Sequence, residues 1–431
     1  MDNSSSILQG VRSVKELRVR ARNTLLFLLL FRIGTYVVLP GVNATDLTRE
    51  SKGVLGLLDT FLGGAFSNAS VLGLGVMPYI SASIIVQLFT IAIPYFRRLQ
   101  QEGYAGRSTI NQITKVLTIG IAFIQAVAYL STAVPAEAIT VDRSFFIVVS
   151  MFTLTAGTMF CVWLGGLITD KGIGQGVSML IMVGIISSLP GALVAEIVTK
   201  GTRGLLILVV EFLVLLAIIS GVILFTKATR KVHVQYARQM LSHAVYHRQR
   251  QYIPLKLNSS GVMPIIFAQA LMFLPALVAN VWAEKSSIAA VISGIFSDYT
   301  TWQYNVTFSI LIIFFSFFYT AITINPTQIA DDMKRNNGFI PGIKPGKQTA
   351  STIDEILSKI TLPGALFLSG IAILPMFATM AGVSNALSRF YGGTSLLIIV
   401  GVVLDTLQQV EGILLMHRYE GLTHAEQSFG V

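Results

Sequence analysis

Cysteine is almost missing from this sequence. Cys161 stands alone, so no disulfide framework can form within the chain, and its place inside a long apolar run reads as small filler. Charge is scarce as well. Charged residues make up 12% of the chain, hydrophobic residues 53%, and mean hydropathy is +0.70. That balance excludes an ordinary soluble globule.

Metal and catalytic constellations are equally thin. All five histidines fall outside the long apolar runs, in segments expected on the cytoplasmic side. His243 and His247 are four apart with no third ligand nearby, so no metal site is expected. The stretch Gly342-Ile-Lys-Pro-Gly346-Lys347 has the look of a phosphate loop. That motif needs four residues between its glycines and Ser or Thr after the lysine; here three intervene and Gln348 follows. With no nucleophile–base pair and no cofactor loop, neither an enzyme nor a cofactor is expected. The Pro- and Gly-punctuated turn instead displays Lys344 and Lys347.

What the chain has is apolar length. A bilayer core of about 30 Å needs roughly 20 apolar residues per helix. Ten such runs lie at about 23–40, 75–96, 111–133, 145–168, 177–195, 204–226, 262–282, 305–325, 362–382 and 394–416. The alternation of a lipid-facing barrel is absent. The expected fold class is therefore all-α: a polytopic membrane protein with ten transmembrane helices. The first run follows five basic residues but is too long for a signal peptide and lacks a cleavage pattern, so it reads as a retained span. Most of the 31 Lys and Arg fall on the N-terminal side of the membrane, which places both termini in the cytoplasm. The same bias accounts for the +10 net charge without direct DNA binding.

Ten spans divide as five plus five, and an odd number per half inverts the second half in the membrane. The expected halves are 1–203 and 204–431. Gly75-Val76-Met77-Pro78 opens the second span and Gly261-Val262-Met263-Pro264 the seventh, a short trace of such a repeat. Two long cytoplasmic segments interrupt the second half, at 227–258 and 325–360. The first carries seven Lys and Arg, no acid, and interleaved Tyr236, Tyr246 and Tyr252. It suits an anionic partner such as RNA or an acidic protein face, or else lipid headgroups.

Intramembrane ionisable groups are functional candidates, and the runs contain Arg32, Glu211, Asp405 and Glu411. A secondary transporter built on inverted repeats would gather such carboxylates; the alternative is polar bridging between neighbouring helices. The second, third and seventh spans carry uncharged polarity instead: Ser81, Ser83, Gln87, Gln125 and Gln269. Amides and hydroxyls between membrane helices contribute only about 0.6 kcal/mol each on average, so a seam of this kind can part.

Six segments, in order, resemble the SecY family, the channel subunits of the bacterial general protein-secretion translocase. They are RIGTYVVLPGV (32–42), GLLDTFLGGAFSNASVLGLGVMPYISASIIVQL (56–88), GIGQGVSMLI (172–181), IPLKLNSSGVMPIIFA (253–268), NNGFIPGIKPGKQTA (336–350) and YGGTSLLIIVGVVLDTLQQVE (391–411). The resemblance implies an hourglass channel that passes unfolded secretory chains and releases apolar segments sideways into lipid. It implies an apolar waist ring of Val76, Ile80, Val177, Ile181, Ile266 and Ile398. The pairs 76/80 and 177/181 are each spaced to share one helix face. It implies a lateral gate with Ser81, Gln87 and Gln125 in its polar seam and Leu274 at a signal-sensitive position. Docking of a SecA motor ATPase or a ribosome is implied at Arg238, Arg248, Arg250, Lys344 and Lys347, with SecE-like and SecG-like small subunits alongside. Two departures stand out. The family usually has Arg where Lys344 stands, and Lys lacks the bidentate fork. The loop tip QMLSHAVYHRQRQ also lacks the usual Gly-Arg-Arg/Lys turn.

The stretch LLDTFLGGAF is too short to span. Leu55, Leu58, Leu62 and Phe66 share a helical face, which predicts a helix of about twelve residues, marginal by itself. Gly63 and Gly64 each weaken it by roughly 1 kcal/mol. By resemblance this is the plug, at about 55–68, built on Leu58, Phe61, Leu62, Gly63, Gly64 and Phe66.

Overall fold

Apolar length becomes helix along nearly the whole chain. The computed structural model describes residues 15–43, 59–134, 138–201, 204–236, 251–258, 261–282 and 300–428. In chain order the helices are α1 (Lys15–Gly34), α2 (Met77–Ala92), α3 (Pro94–Gln101), α4 (Tyr104–Ala133), α5 (Arg143–Lys171), α6 (Gly176–Lys200) and α7 (Leu205–Lys227). They continue as α8 (Met263–Trp282), α9 (Trp302–Thr323), α10 (Pro326–Arg335), α11 (Lys347–Met380), α12 (Asn385–Ser388) and α13 (Gly393–Ser428). Each of the ten apolar runs forms helix over most of its length. Among the described residues, seven helices are long and apolar enough to cross a bilayer, and the bent α2–α3 pair makes an eighth. The other two runs fall in α1, whose first turns are basic, and α8, whose apolar stretch is described over Met263–Met272.

Two runs differ from their expected extent. The second does not continue straight to residue 96: the chain turns by 101° between α2 and α3. Pro94 is the cause. It disfavours helical backbone at the preceding residue, and Ile93 is extended at φ −111, ψ 120. The first run stops being helical at Gly34. Residues 37–43 leave the helix, turn at Pro40–Gly41 and pair on both sides of that turn: Val38 bridges Ser70 and Val42 bridges Ile139, with Leu39 N–H donating to the Ala69 carbonyl at 2.9 Å.

The two long segments between apolar runs hold the main departure from an all-helical fold. The basic segment forms β1 (Thr229–Tyr236) and β2 (Gln251–Lys256), antiparallel with Val232 opposite Ile253. β3 (Gly338–Phe339), from the other long segment, pairs with the far end of β1. The β-branched Val232, Val234 and Ile253 suit a half-buried pleated surface. Val234, Leu255, Met333, Ile340, Ile353 and Leu357 close a small core beneath the sheet, so the two long segments make one folded unit rather than two free loops.

Within the helical body, α2 packs on α4 and α8, α8 also on α4 and α9, α9 on α11, and α13 on α6. One apolar cluster runs through these helices, from Phe31 of α1 to Leu404 of α13. By contrast, α7 exposes Leu206, Ile207, Phe212, Leu213 and Leu224. A helix apolar on all sides yet exposed by its neighbours is matched to lipid.

Candidate functional site

Between α1 and α2 the chain folds back into the bundle. A helical turn at 59–62 ends where Gly63 and Gly64 take positive φ of +63 and +88, a backbone that glycine adopts freely. The expected twelve-residue helix therefore ends before Phe66. Asp59 closes the following loop by accepting from both the Ser67 N–H and its hydroxyl, each at 2.9 Å. Gly63 could be no larger: a Cβ there would strike Ser187, Gly184 and the Arg32 guanidinium.

Five parts of the chain hold this segment. Arg32 of α1 donates to the Gly63 carbonyl at 2.5 Å and stacks over its own neighbour Tyr36. Tyr129 of α4 donates to the Phe66 carbonyl at 2.8 Å. Gly157 of α5 lies against the Val71 carbonyl, and Gly184 of α6 against that of Phe61. Arg389, just after α12, donates to the Thr60 hydroxyl at 3.3 Å. Phe61, Leu62 and Phe66 are all buried. Burial of such side chains contributes about 1.5–3 kcal/mol each, so docking outweighs the weak propensity of a Gly-interrupted turn. Leu58 lies outside the described residues.

The six predicted waist residues fall together. Val76, Ile80, Ile181 and Ile398 are buried members of one apolar cluster, and the half-buried Val177 and Ile266 pack against it. Phe61 of the re-entrant segment belongs to the same cluster, whereas Leu62 and Phe66 pack with Tyr129 and Leu130 in a second one. The segment thus sits astride the two. Ile266 and Ile398 also line a cavity of about 320 Å³. Its wall also carries Asp405, Gln408 and Lys256, with Lys256 donating to Gln408 at 3.3 Å.

The polar residues of the α2–α4–α8 contact do not bond across it as expected. Ser81 donates to the Met77 carbonyl at 3.2 Å and Gln87 to Ser83 at 3.3 Å, both within α2. Gln125 of α4 is 2% exposed, and neither of its amide atoms has a partner among the described residues. A bond that does join two helices runs from Gln269 of α8 to the Tyr304 hydroxyl of α9, at 3.5 Å. An i−4 carbonyl is always within reach of a helical hydroxyl, which is why Ser81 bonds locally. Leu274 lies on α8; its side chain is outside the described residues.

The four intramembrane charges have separate surroundings. Arg32 holds the re-entrant segment, Asp405 faces the cavity, Glu411 is exposed, and Glu211 pairs with Lys200. Sequence reading missed the rest of that last group. Lys200 also pairs with Glu196 at 2.9 Å, and Glu196 is 1% exposed. The Glu196 carboxylate in turn accepts from the backbone N–H of Ser384, just before α12, at 3.0 Å. The Tyr391 phenol is pushed up to about 12, by burial first and by the Glu196 charge second. The i,i+4 spacing of Glu196 and Lys200 was the available signal, hidden because the fifth apolar run ends at 195. Arg389 was missed too, lying in a polar stretch between runs.

On the folded unit of the two long segments Lys344 and Lys347 are exposed. The turn just before them is closed by Ile343 N–H donating to the Ile340 carbonyl at 3.0 Å. Thr349 adds a hydroxyl bond to the Lys344 carbonyl, also at 3.0 Å. Arg238, Arg248, Arg250, His243 and His247 lie outside the described residues.

Long apolar helices gathered around one apolar cluster, with a separately docked segment folded in against it, define a polytopic membrane protein. Known proteins place the chain more narrowly. The family model described as SecY matches residues 70–407. A protein translocase subunit SecY from Streptomyces galbus is 40% identical, the alignment covering 94% of this chain and 97% of the relative. The protein of the same name from Corynebacterium glutamicum is 36% identical, over 97% and 99%. The chain belongs to the SecY family. Solved structures share its fold at low identity. A protein-conducting channel superposes with a TM-score of 0.64 at 16% identity, over 91% of both chains. The channel of the canine ribosome–channel complex from the endoplasmic reticulum gives 0.59, at 16% identity and the same coverage.

Proposed function

We propose that this chain is the channel-forming subunit of a protein translocase in the bacterial cytoplasmic membrane, with both termini in the cytoplasm. Unfolded secretory chains pass through its waist, and apolar segments leave sideways into lipid. The observation that carries this reading is that Val76, Ile80, Ile181, Ile398 and Phe61 share one apolar cluster, with Val177 and Ile266 packed against it. Branched apolar groups at a constriction exclude water and ions by dewetting, while a passing chain can push them apart. The ring is Val76, Ile80, Val177, Ile181, Ile266 and Ile398; the plug is the segment around Phe61 to Phe66. The halves 1–203 and 204–431 hinge at the α6–α7 connection, and the gate lies where α2 and α4 meet α8. The secondary-transporter reading finds no support in the relatives, which carry the translocase name.

The chain's own residues supply a path and a seal, and motion of the substrate is driven from the cytoplasmic side. A SecA-type motor or a ribosome docks on the folded unit that displays Lys344 and Lys347, and SecE-like and SecG-like subunits complete the complex. Photo-crosslinkers at Ile80 and Ile266 should capture a stalled secretory chain in membrane vesicles. Capture only from lipid-facing α7 positions, with none from these two, would remove the waist assignment.

A further inference from the structure

We propose that Arg389 is a latch between the plug and the C-terminal part of the chain, so that gate opening and plug release are one event. This rests on the channel reading above and extends it to positioning residues outside the ring. The relevant geometry lies at the end of the plug turn. Two guanidinium groups reach it from different parts of the chain. Arg32 reaches from α1 to the Gly63 carbonyl, and α1 belongs with the plug on the N-terminal side of the α6–α7 connection. Arg389 reaches from beyond α12 to the Thr60 hydroxyl. Any movement that draws α8 and its following helices away from α2 and α4 leaves Arg32 in place and pulls on Arg389.

A latch must itself be held. Arg389 caps the C-terminus of α12, and the N-terminus of α12 is fixed by two bonds. The Ser384 hydroxyl accepts from the Leu387 N–H at 3.5 Å, and the Ser384 N–H donates to Glu196. Glu196 is in turn held by Lys200 at the end of α6, and Lys200 also pairs with Glu211 of α7. The chain of contacts therefore runs from the α6–α7 connection through Glu196, Ser384 and α12 to Arg389 and Thr60. Leu387 and Phe390, on either side of Arg389, share the apolar cluster of Phe61, which keeps the arginine beside the plug. A cavity of about 330 Å³, lined in part by Arg32, Thr60, Ser187 and Arg389, adjoins the contact. It gives the guanidinium and the plug turn room to separate without repacking the bundle.

The bond is charge-assisted, so its loss should be read as a shift in plug occupancy rather than in folding. Arg389→Ala, Arg389→Lys and Thr60→Ala are compared in the assembled translocase in proteoliposomes. The readouts are resting ion leak and acceptance of a signal-defective precursor. Losing one hydrogen bond to a charged group should raise leak about tenfold. Lys should restore part of the effect. Thr60→Ala with Arg389→Ala should be no worse than Arg389→Ala alone, as for two partners of one contact. Glu196→Gln should give the same direction, more weakly, with wild-type Arg389 present. Unchanged leak and stringency in Arg389→Ala, in vesicles that still secrete a normal precursor, would overturn the latch. Vesicles of the unaltered protein that neither secrete nor conduct would count against the channel reading instead.

Discussion

The Tyr129 hydroxyl meets the Phe66 carbonyl at 2.8 Å while the two rings pack edge to face, 4.7 Å between centroids. One side chain of α4 thus grips the plug by both its polar tip and its aromatic body. Replacing Tyr129 with Phe keeps the ring contact and removes the shorter of two donors to the Phe66 carbonyl, the Ala69 N–H remaining at 3.3 Å, at a cost of about 0.5–1.5 kcal/mol. Because the plug is docked rather than self-stable, that cost should appear as undocking. We expect Y129F to assemble normally and to leak ions at rest. Y129A, which also loses the aromatic contact of about 0.5–1.5 kcal/mol, should leak more. Planar bilayer conductance orders the two variants; equal, wild-type conductance for both would refute plug docking through this contact.

The ring makes a separate prediction. Ile181 and Ile398 are buried in the common cluster, and an amide there has no partner but water. I181N and I398N should therefore wet the constriction, raise resting conductance and admit precursors with weakened signals. Isosteric I398L should do little, since volume-conserving apolar swaps cost under about 1.5 kcal/mol. Secretion of a signal-defective reporter together with conductance tests both. A transport-neutral I181N with wild-type leak would mean that the seal lies elsewhere.

How much of this was legible in the sequence follows from which forces act locally. Apolar run length is a local property, and helices formed at all ten runs; the motifs at 32–42 and 56–88 located the segment that folds inward. Pro94 was also visible, yet a run-length reading passed straight over its bend. Burial in a bilayer was the stronger signal, and it does not report direction. The three-stranded sheet was hidden because β1 and β2 belong to a basic segment with few apolar residues, and β3 joins from about a hundred residues away. Non-local pairing leaves little trace in either strand alone. Arg389 and Glu196 were invisible for a related reason. Their importance lies in what they touch, Thr60 and Ser384, and each partner is more than 180 residues distant.

The proposed docking surface gives a third prediction. Lys344 and Lys347 stand exposed on a turn braced by Thr349 and by the core of Ile340, Ile353 and Leu357. Reversing both charges removes attraction for an acidic or nucleic-acid partner without touching that core. K344E/K347E should fold and assemble normally, keep its resting seal, and lose motor-driven or ribosome-driven transport. Affinity should fall most at low salt, because exposed charges more than about 10 Å apart are screened at 0.1 M. K344R offers the opposite sign, since the planar guanidinium can bond bidentately. Binding of the motor and of ribosomes to vesicles carrying each variant decides it, and undiminished binding by the double reversal would exclude this turn as a dock.

The fourth prediction concerns the ionic cluster at the α6–α7 connection. Lys200 lies between Glu196 and Glu211, and all three side chains are largely buried, at 14%, 1% and 11% exposure. One cation between two carboxylates is tolerable only while it stays. Removing one partner of a buried pair leaves an uncompensated charge and costs about 3–5 kcal/mol, whereas replacing the whole group by apolar residues is often neutral. K200M should therefore destabilise the protein strongly in thermal unfolding in detergent. The triple variant E196L/K200M/E211L should recover much of that stability. Recovery of stability should not bring back a tight seal, because an aliphatic side chain in place of Glu196 cannot accept from the Ser384 N–H, and α12 loses its anchor. A triple variant as stable and as tightly sealed as the wild type would show that the cluster serves stability alone, and that α12 is positioned by its apolar contacts.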